Sequence, residues 1–312
     1  MGYLDYFLKT NTYSFFDLKS LSIKGNEYGW LYLNRIFGPI GFFVMTAMLA
    51  AFTCYVLFRF IKKFVPSQYY WYAVLWYVFE PNAMLILSSA MRQAVGVILF
   101  LISIDYIIQK KVIKYLLLIS IAALFHSSAV FLYPVILLSF VNWRIKLIHI
   151  GIVFAVYTIS IIYVKELYEF INLFTTLYFE DYSMYTQKAI LETNFSIGLA
   201  LTFLIFTILM YLSNKETNTG NRLIFKFGII VLLMIPLSFG IQLITRLNYY
   251  FWPVMMAVFP LAFTKIKKAE FRLLFISIVV IYSLYHFFMF FQSEYNEFFG
   301  EYHTIFSSPS YY

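Results

Sequence analysis

Arg92 stands in Met91-Arg92-Gln93-Ala94 and Arg246 in Thr245-Arg246-Leu247-Asn248-Tyr249-Tyr250, and each opens a long apolar run. A guanidinium grips a phosphate or pyrophosphate through paired, charge-assisted hydrogen bonds. The N-terminus of a helix beneath it adds its own attraction for an anion. Snorkelling to lipid headgroups is the plainer reading of either arginine alone; two at matching ends of their runs, beside a histidine, favour anion binding. That histidine is His126, in Phe125-His126-Ser127-Ser128, which divides two short apolar runs. Imidazole titrates near neutral pH and serves as acid, base or hydrogen-bond donor, although a histidine at a helix end is often structural. Glu80, followed by Pro81 and Asn82, interrupts another apolar run. It reads either as a general base or as a carboxyl held by a neighbour or by the backbone that Pro81 frees. His149 and His286 read as structural.

The stretch 165–194 gathers aromatic and acidic side chains, among them Glu166, Glu169, Tyr178, Glu180, Asp181, Tyr182 and Tyr185. Rings beside carboxylates suit sugars, whose C–H faces stack while their hydroxyls bond; an amphipathic stretch resting on a membrane surface is the alternative. Motifs of soluble enzymes are missing: there is no GxGxxG, Walker loop, HExxH or GxSxG. Cys54 stands alone in an apolar run, which excludes a disulfide framework and a cysteine zinc site.

The elements that must position these residues follow from composition. The chain has 312 residues, 62% hydrophobic, 22% aromatic and only 12% charged, with a mean hydropathy of +0.78. Too little charge is present to cover the surface of a water-soluble domain of this length. The fold class expected is therefore an all-α integral membrane protein. Taking ~20 residues per span gives about ten transmembrane helices, at 37–58, 69–88, 92–109, 112–125, 127–142, 147–164, 195–213, 223–244, 247–264 and 272–291. Residues 1–36 form an outer-face N-terminal segment, 37–312 the polytopic helical domain, and 165–194 a large outer loop between the sixth and seventh spans.

The net charge of +8 is not a nucleic-acid signal, because the basic residues fall in small clusters between apolar runs. The clusters are Arg59, Lys62 and Lys63; Lys110, Lys111 and Lys114; Arg144 and Lys146; Lys215, Arg222 and Lys226; and Lys265, Lys267, Lys268 and Arg272. Every second loop is basic, so that side is expected to be cytoplasmic and both ends of this chain outside. Residues 1–36 would then cross carrying Lys9, Lys19, Lys24 and Arg35 with no apolar segment ahead of them. One further upstream helix is the expectation that resolves this; unaided insertion with the N-terminus outside is the alternative. Spans 112–125 and 127–142 are short for a ~30 Å core at 1.5 Å per residue. Joined as one helix they would break the alternation of charge. A short hairpin is expected, its tip below the outer surface and His126 facing a cavity there.

Taken together, these residues resemble a known family, the EpsG-type, Wzy-like polysaccharide polymerases of bacterial surface-polymer gene clusters. The resemblance rests on Met91-Arg92-Gln93-Ala94, followed by Ala122-Ala123-Leu124-Phe125-His126-Ser127-Ser128-Ala129. It extends to Arg246 with Tyr249 and Tyr250, and to Glu27-Tyr28-Gly29. The tail Gly300-Glu301-Tyr302-His303-Thr304-Ile305-Phe306 echoes the family's C-terminal stretch without its proline, and Gly2-Tyr3-Leu4-Asp5-Tyr6 its N-terminal one with shifted spacing.

The resemblance covers essentially the whole chain. It implies a glycosyltransferase that joins undecaprenyl-pyrophosphate-linked oligosaccharide repeat units on the outer face of the bacterial cell (inner) membrane. Its partners would be that lipid-linked substrate, the bilayer and a chain-length regulator protein, with neither cofactor nor metal. Arg92, Arg246 and His126 would be catalytic, and Gln93, Tyr249, Tyr250, Arg35, Glu27, Asp181 and Glu80 would bind substrate. A lipid-linked oligosaccharide flippase would want a repeated architecture with cations along a tunnel. A membrane acyltransferase modifying the same polymer would want a histidine deep in the bilayer.

Overall fold

The computed structural model describes residues 2–13, 27–141, 147–163, 197–238 and 242–292, with Glu166 and Glu169. Most of the stretch 165–194, including Asp181, lies outside the described residues, as does the tail from 293 onward. Among the described residues the chain is helical and holds no strand. A bilayer offers no water to unpaired backbone groups, so only helices and closed barrels span it. In chain order the helices are α1 (Tyr3–Thr12), α2 (Tyr28–Ile36), α3 (Phe42–Phe64), α4 (Tyr70–Phe79), α5 (Pro81–Ser89), α6 (Met91–Ile108) and α7 (Val112–Phe125). A 3-10 helix, Ser127–Ser139, comes next. Then come α8 (Leu147–Ile162), α9 (Ile197–Ser213), α10 (Thr219–Ser238), α11 (Gln242–Phe251), α12 (Met255–Thr264) and α13 (Ala269–Phe291).

Four of these, α3, α6, α10 and α13, are long and apolar enough to cross a membrane unbroken. The share of each span buried inside the protein separates centre from periphery: 56% for α6 and 67% for α10, against 28% for α3 and α13. The outer pair turn Phe43, Tyr55, Phe58, Leu273, Ile281 and Phe288 away from the protein, where lipid can accept them. In the centre small residues bring helices close, as lipid-embedded packing favours. A Cβ on Gly228 of α10 would lie 2.7 Å from a Val258 methyl of α12, so that approach depends on glycine.

The remaining expected spans are built from shorter or broken helices. The stretch 69–88 is α4 and α5 with a break at Glu80. Proline disfavours the helical conformation in the residue before it and suits the first position of a new helix. Glu80 then caps α5, its Oε1 accepting from the Asn82 amide at 3.4 Å and the Asn82 side chain at 3.1 Å. The stretch 247–264 starts earlier, at Gln242, and is interrupted by a 3-10 turn at Trp252-Pro253-Val254.

At 127–142 the expected short span takes a form the sequence did not suggest. Ser127–Ser139 is a 3-10 helix, which rises ~2.0 Å per residue. Thirteen residues therefore cover roughly 26 Å, more than the roughly 21 Å of fourteen α-helical residues in α7. Its far end is closed by Lys226 of α10, which is buried and donates to the carbonyls of Leu138, at 2.8 Å, and Val141. The basic turns carry acidic partners. Asp105 pairs with Lys63 and Arg59, and Glu216 pairs with Lys265 at 2.8 Å. Burial alone would raise the Glu216 carboxyl. The Lys265 ammonium and the Asn218 amide outweigh burial and hold it below its ordinary value.

Candidate active site

α6 and α7 form an antiparallel hairpin through a tight turn in which Lys110 takes a left-handed conformation, φ 55°. Hairpin closure brings two distant motifs level. Arg92, in the first turn of α6, and His126, just past the last turn of α7, must emerge at the same end of the bundle, away from Lys110 and Lys111. His126 has extended backbone, φ −151° and ψ 117°, because it ends α7 and starts the 3-10 helix. Ser127 and Ser128 suit such a boundary, since their hydroxyls compete for backbone groups inside a helix.

The third member comes from far away in sequence. Glu27 precedes α2, and α2 lies against the end of α7. The approach is close enough that a Cβ on Gly29 would stand 3.0 Å from the Leu124 backbone carbon and oxygen. Glu27 is thereby inserted between the two cations, its side chain 7% exposed. One carboxylate oxygen accepts from His126 Nδ1 at 2.7 Å and from the Ser127 amide at 3.3 Å. The other accepts from an Arg92 guanidinium nitrogen. Burial works to raise the Glu27 carboxyl, but the His126 hydrogen bond and charge, Arg92 and the Ser127 amide together hold it below its ordinary value.

An ionised carboxylate only accepts hydrogen bonds, so the Nδ1–H of His126 is committed to Glu27 and Nε2 is the ring nitrogen left for another partner. Nε2 is buried and has no hydrogen-bond partner. A buried, unpaired polar atom is costly and rare.

α11 closes another side, packing on α6 and on the 3-10 helix. Gln93, buried in α6, donates from Nε2 to the Arg246 carbonyl at 2.7 Å. The Tyr250 and Ser128 hydroxyls are hydrogen-bonded at 3.1 Å. Gly96 makes room for Tyr250, whose hydroxyl would lie 3.1 Å from a Cβ there. Arg246, half-buried, is thus fixed through its backbone one helix away from Arg92. Over the cluster, α1 brings the Tyr3 hydroxyl into hydrogen-bonding range of Arg92 and Tyr6 into its field.

A sequence profile of the EpsG family matches residues 1–304. The chain belongs to the EpsG family. Membership carries an association with polysaccharide biosynthesis and with membranes. No curated protein and no solved structure matches the chain.

Within this EpsG-family protein the two motifs that carried the resemblance, around Arg92 and His126, meet through Glu27. Of the other expected substrate contacts, Gln93, Tyr250 and Tyr249 come with α11 to the same end, Gln93 and Tyr250 as ties between elements. Arg35 is engaged elsewhere, donating to the Asn11 carbonyl at 3.3 Å and the Asn11 side chain at 3.2 Å, where it joins α2 to α1. Glu80 is buried at the α4–α5 break against Asn82 and Trp252 and is not bonded to the cluster. His286 packs on Tyr282, ring centroids 4.4 Å apart.

Sequence reasoning placed Glu27 among seven substrate contacts and missed its place at the centre. Besides its place in the Glu27-Tyr28-Gly29 piece of the resemblance, the signal was charge balance: a buried histidine beside an arginine calls for an acid. Asp5, Asp17 and Glu27 all lie in the N-terminal segment to supply one. Tyr3 entered only within the N-terminal echo Gly2-Tyr3-Leu4-Asp5-Tyr6 and was not singled out as a site residue.

Proposed function

We propose that this protein polymerises lipid-linked oligosaccharide repeat units, transferring a glycan from undecaprenyl pyrophosphate to the hydroxyl of a second lipid-linked unit. The reaction site is the end of the bundle that holds Arg92, His126 and Arg246, opposite the basic turns and hence on the outer face. The observation that carries the reading is the Glu27–His126 pair, whose buried Nε2 awaits a proton donor, next to an arginine suited to pyrophosphate. In the step, His126 Nε2 takes the proton of the acceptor hydroxyl as its oxygen bonds to the anomeric carbon. The bond from that carbon to the pyrophosphate oxygen breaks, and the electron pair leaves with undecaprenyl pyrophosphate. Arg92 and Arg246 stabilise the charge that develops on the leaving group. The leaving group supplies the driving force, so neither nucleotide sugar nor ion gradient enters.

The test is purified protein in nanodiscs given only lipid-linked repeat units. A ladder of longer glycans is expected. His126→Ala should slow the ladder by about 10²–10⁴-fold, the range of general acid–base catalysis. A flippase would move lipid between leaflets and leave chain length unchanged, and an acyltransferase would need an acyl donor. No ladder from protein shown to be folded sinks the polymerase reading.

A further inference from the structure

One carboxylate serves two cations here, and the three partners are unequally exposed. Glu27 and His126 are held fast, with side chains 7% and 9% exposed, while the Arg92 side chain is 36% exposed. Glu27 also receives the Ser127 amide on the oxygen that binds His126, which leaves the other oxygen to Arg92. Arg92 is therefore the most exposed member, a long side chain at the rim of a buried carboxylate–imidazole pair. A pyrophosphate carries more negative charge than a carboxylate and offers several oxygens in the plane of the guanidinium fork. An arriving pyrophosphate competes with Glu27 for Arg92 and has the stronger claim.

We propose that Glu27 is the positioning residue of this site, and that Arg92 passes from Glu27 to the substrate's pyrophosphate on binding, which makes His126 a strong base only when the donor is in place. This rests on the function proposed above. Without the anion, the Glu27 charge is divided between Arg92 and His126, and the positive guanidinium opposes a second positive charge on the imidazole. With the anion bound, Arg92 is neutralised elsewhere and the Glu27 charge acts on His126 alone. When Nε2 then takes the acceptor's proton, the Nδ1–H stays on Glu27 and the imidazolium is stabilised. The proton afterwards leaves Nε2 for the departing pyrophosphate or for water, which restores the neutral ring. The charged and titratable groups on the elements packed there are Tyr3, Asp5, Tyr6 and Lys9 of α1, Tyr28, Tyr32 and Arg35 of α2, Arg92 at the near end of α6, and Arg246, Tyr249 and Tyr250 of α11. Arg92 alone among them bonds to Glu27 through a cationic group that can leave. The gating would protect the activated lipid, since a base that is weak without donor does not activate stray water.

The experiment follows the His126 imidazole by NMR in isotope-labelled protein in nanodiscs, assigned by comparison with His126→Gln, with geranyl pyrophosphate as probe. In the wild type the probe should raise the proton affinity of His126 by about tenfold or more. In Glu27→Gln the probe should still bind, because Arg92 is free to take it, but the rise should be lost. In Arg92→Met the free protein should already show the raised affinity. Glu27→Asp, which keeps the charge, should recover part of the rise and part of the polymerisation rate. An equal rise in Glu27→Gln and wild type would mean that the anion acts on the imidazole directly and would overturn the handover. Calorimetric binding with no movement of His126 would also overturn it and leave the proposed function standing. Absence of binding to the wild type would remove the pyrophosphate site itself, and both readings with it.

Discussion

Gly29→Ala tests whether the seating of α2 on α7 sets the Glu27–His126 pair. The new Cβ would stand 3.0 Å from the backbone carbon and oxygen of Leu124. Nonbonded atoms of this kind settle at about 3.5 Å or more, so α2 must withdraw by roughly 0.5 Å. Trimming the Leu124 side chain cannot relieve the contact, since two of the three nearest atoms are backbone. Glu27 is two residues from the pivot. Its 2.7 Å bond to His126 would stretch to roughly 3.2 Å, the edge of a normal hydrogen bond. Overpacking costs about 1–3 kcal/mol, and replacing a helical glycine by alanine returns up to about 1 kcal/mol, so the fold should survive. Misplacement on this scale costs a catalytic site roughly 10- to 100-fold in rate. The assay is the glycan ladder from lipid-linked units, run beside the thermal midpoint of the same preparation in detergent. A Gly29→Ala protein that is stable and polymerises at the wild-type rate would refute the claim that this contact aligns the pair.

Arg92→Lys and Arg246→Lys keep charge but lose the planar fork, so each should restore little polymerisation; normal ladders from both, with protein stably inserted, would end the pyrophosphate assignment. Lys226→Met should leave the Leu138 and Val141 carbonyls unpaired and destabilise the protein by about 1–3 kcal/mol, read as a lower denaturation midpoint in detergent. Glu27 is held below its ordinary carboxyl value of 4.5, so its contribution to stability is present above that value and disappears as pH falls through the lower folded one. The stability gap between wild type and Glu27→Gln should therefore hold from neutral pH down to about 5 and close in stronger acid; a gap that closes between pH 7 and 6 would contradict an ionised, paired Glu27.

Composition by itself determined that this is a helical membrane protein, because a chain 62% hydrophobic and 12% charged has a surface that only lipid can accept. Long apolar runs located α6 and α13 within a few residues, and α7 at its observed bounds, Val112–Phe125. The cost of a charge in an apolar run singled out Arg92, His126 and Arg246, and the motifs around them pointed to the family that the profile match established. Other features depended on atoms that meet only after folding. Arg92 and His126 are 65 and 99 residues from Glu27, and no window of sequence reports that a carboxylate will stand between them. The break at Glu80 was signalled by Pro81, yet only the folded chain shows the carboxyl set against the Asn82 amide and side chain. The 3-10 form of Ser127–Ser139 was hidden as well, since apolar content sets that a segment is buried but not its rise per residue. Gly29 reads in sequence as a weak helix residue. Only the backbone of Leu124 pressed against it shows why a side chain there would move Glu27.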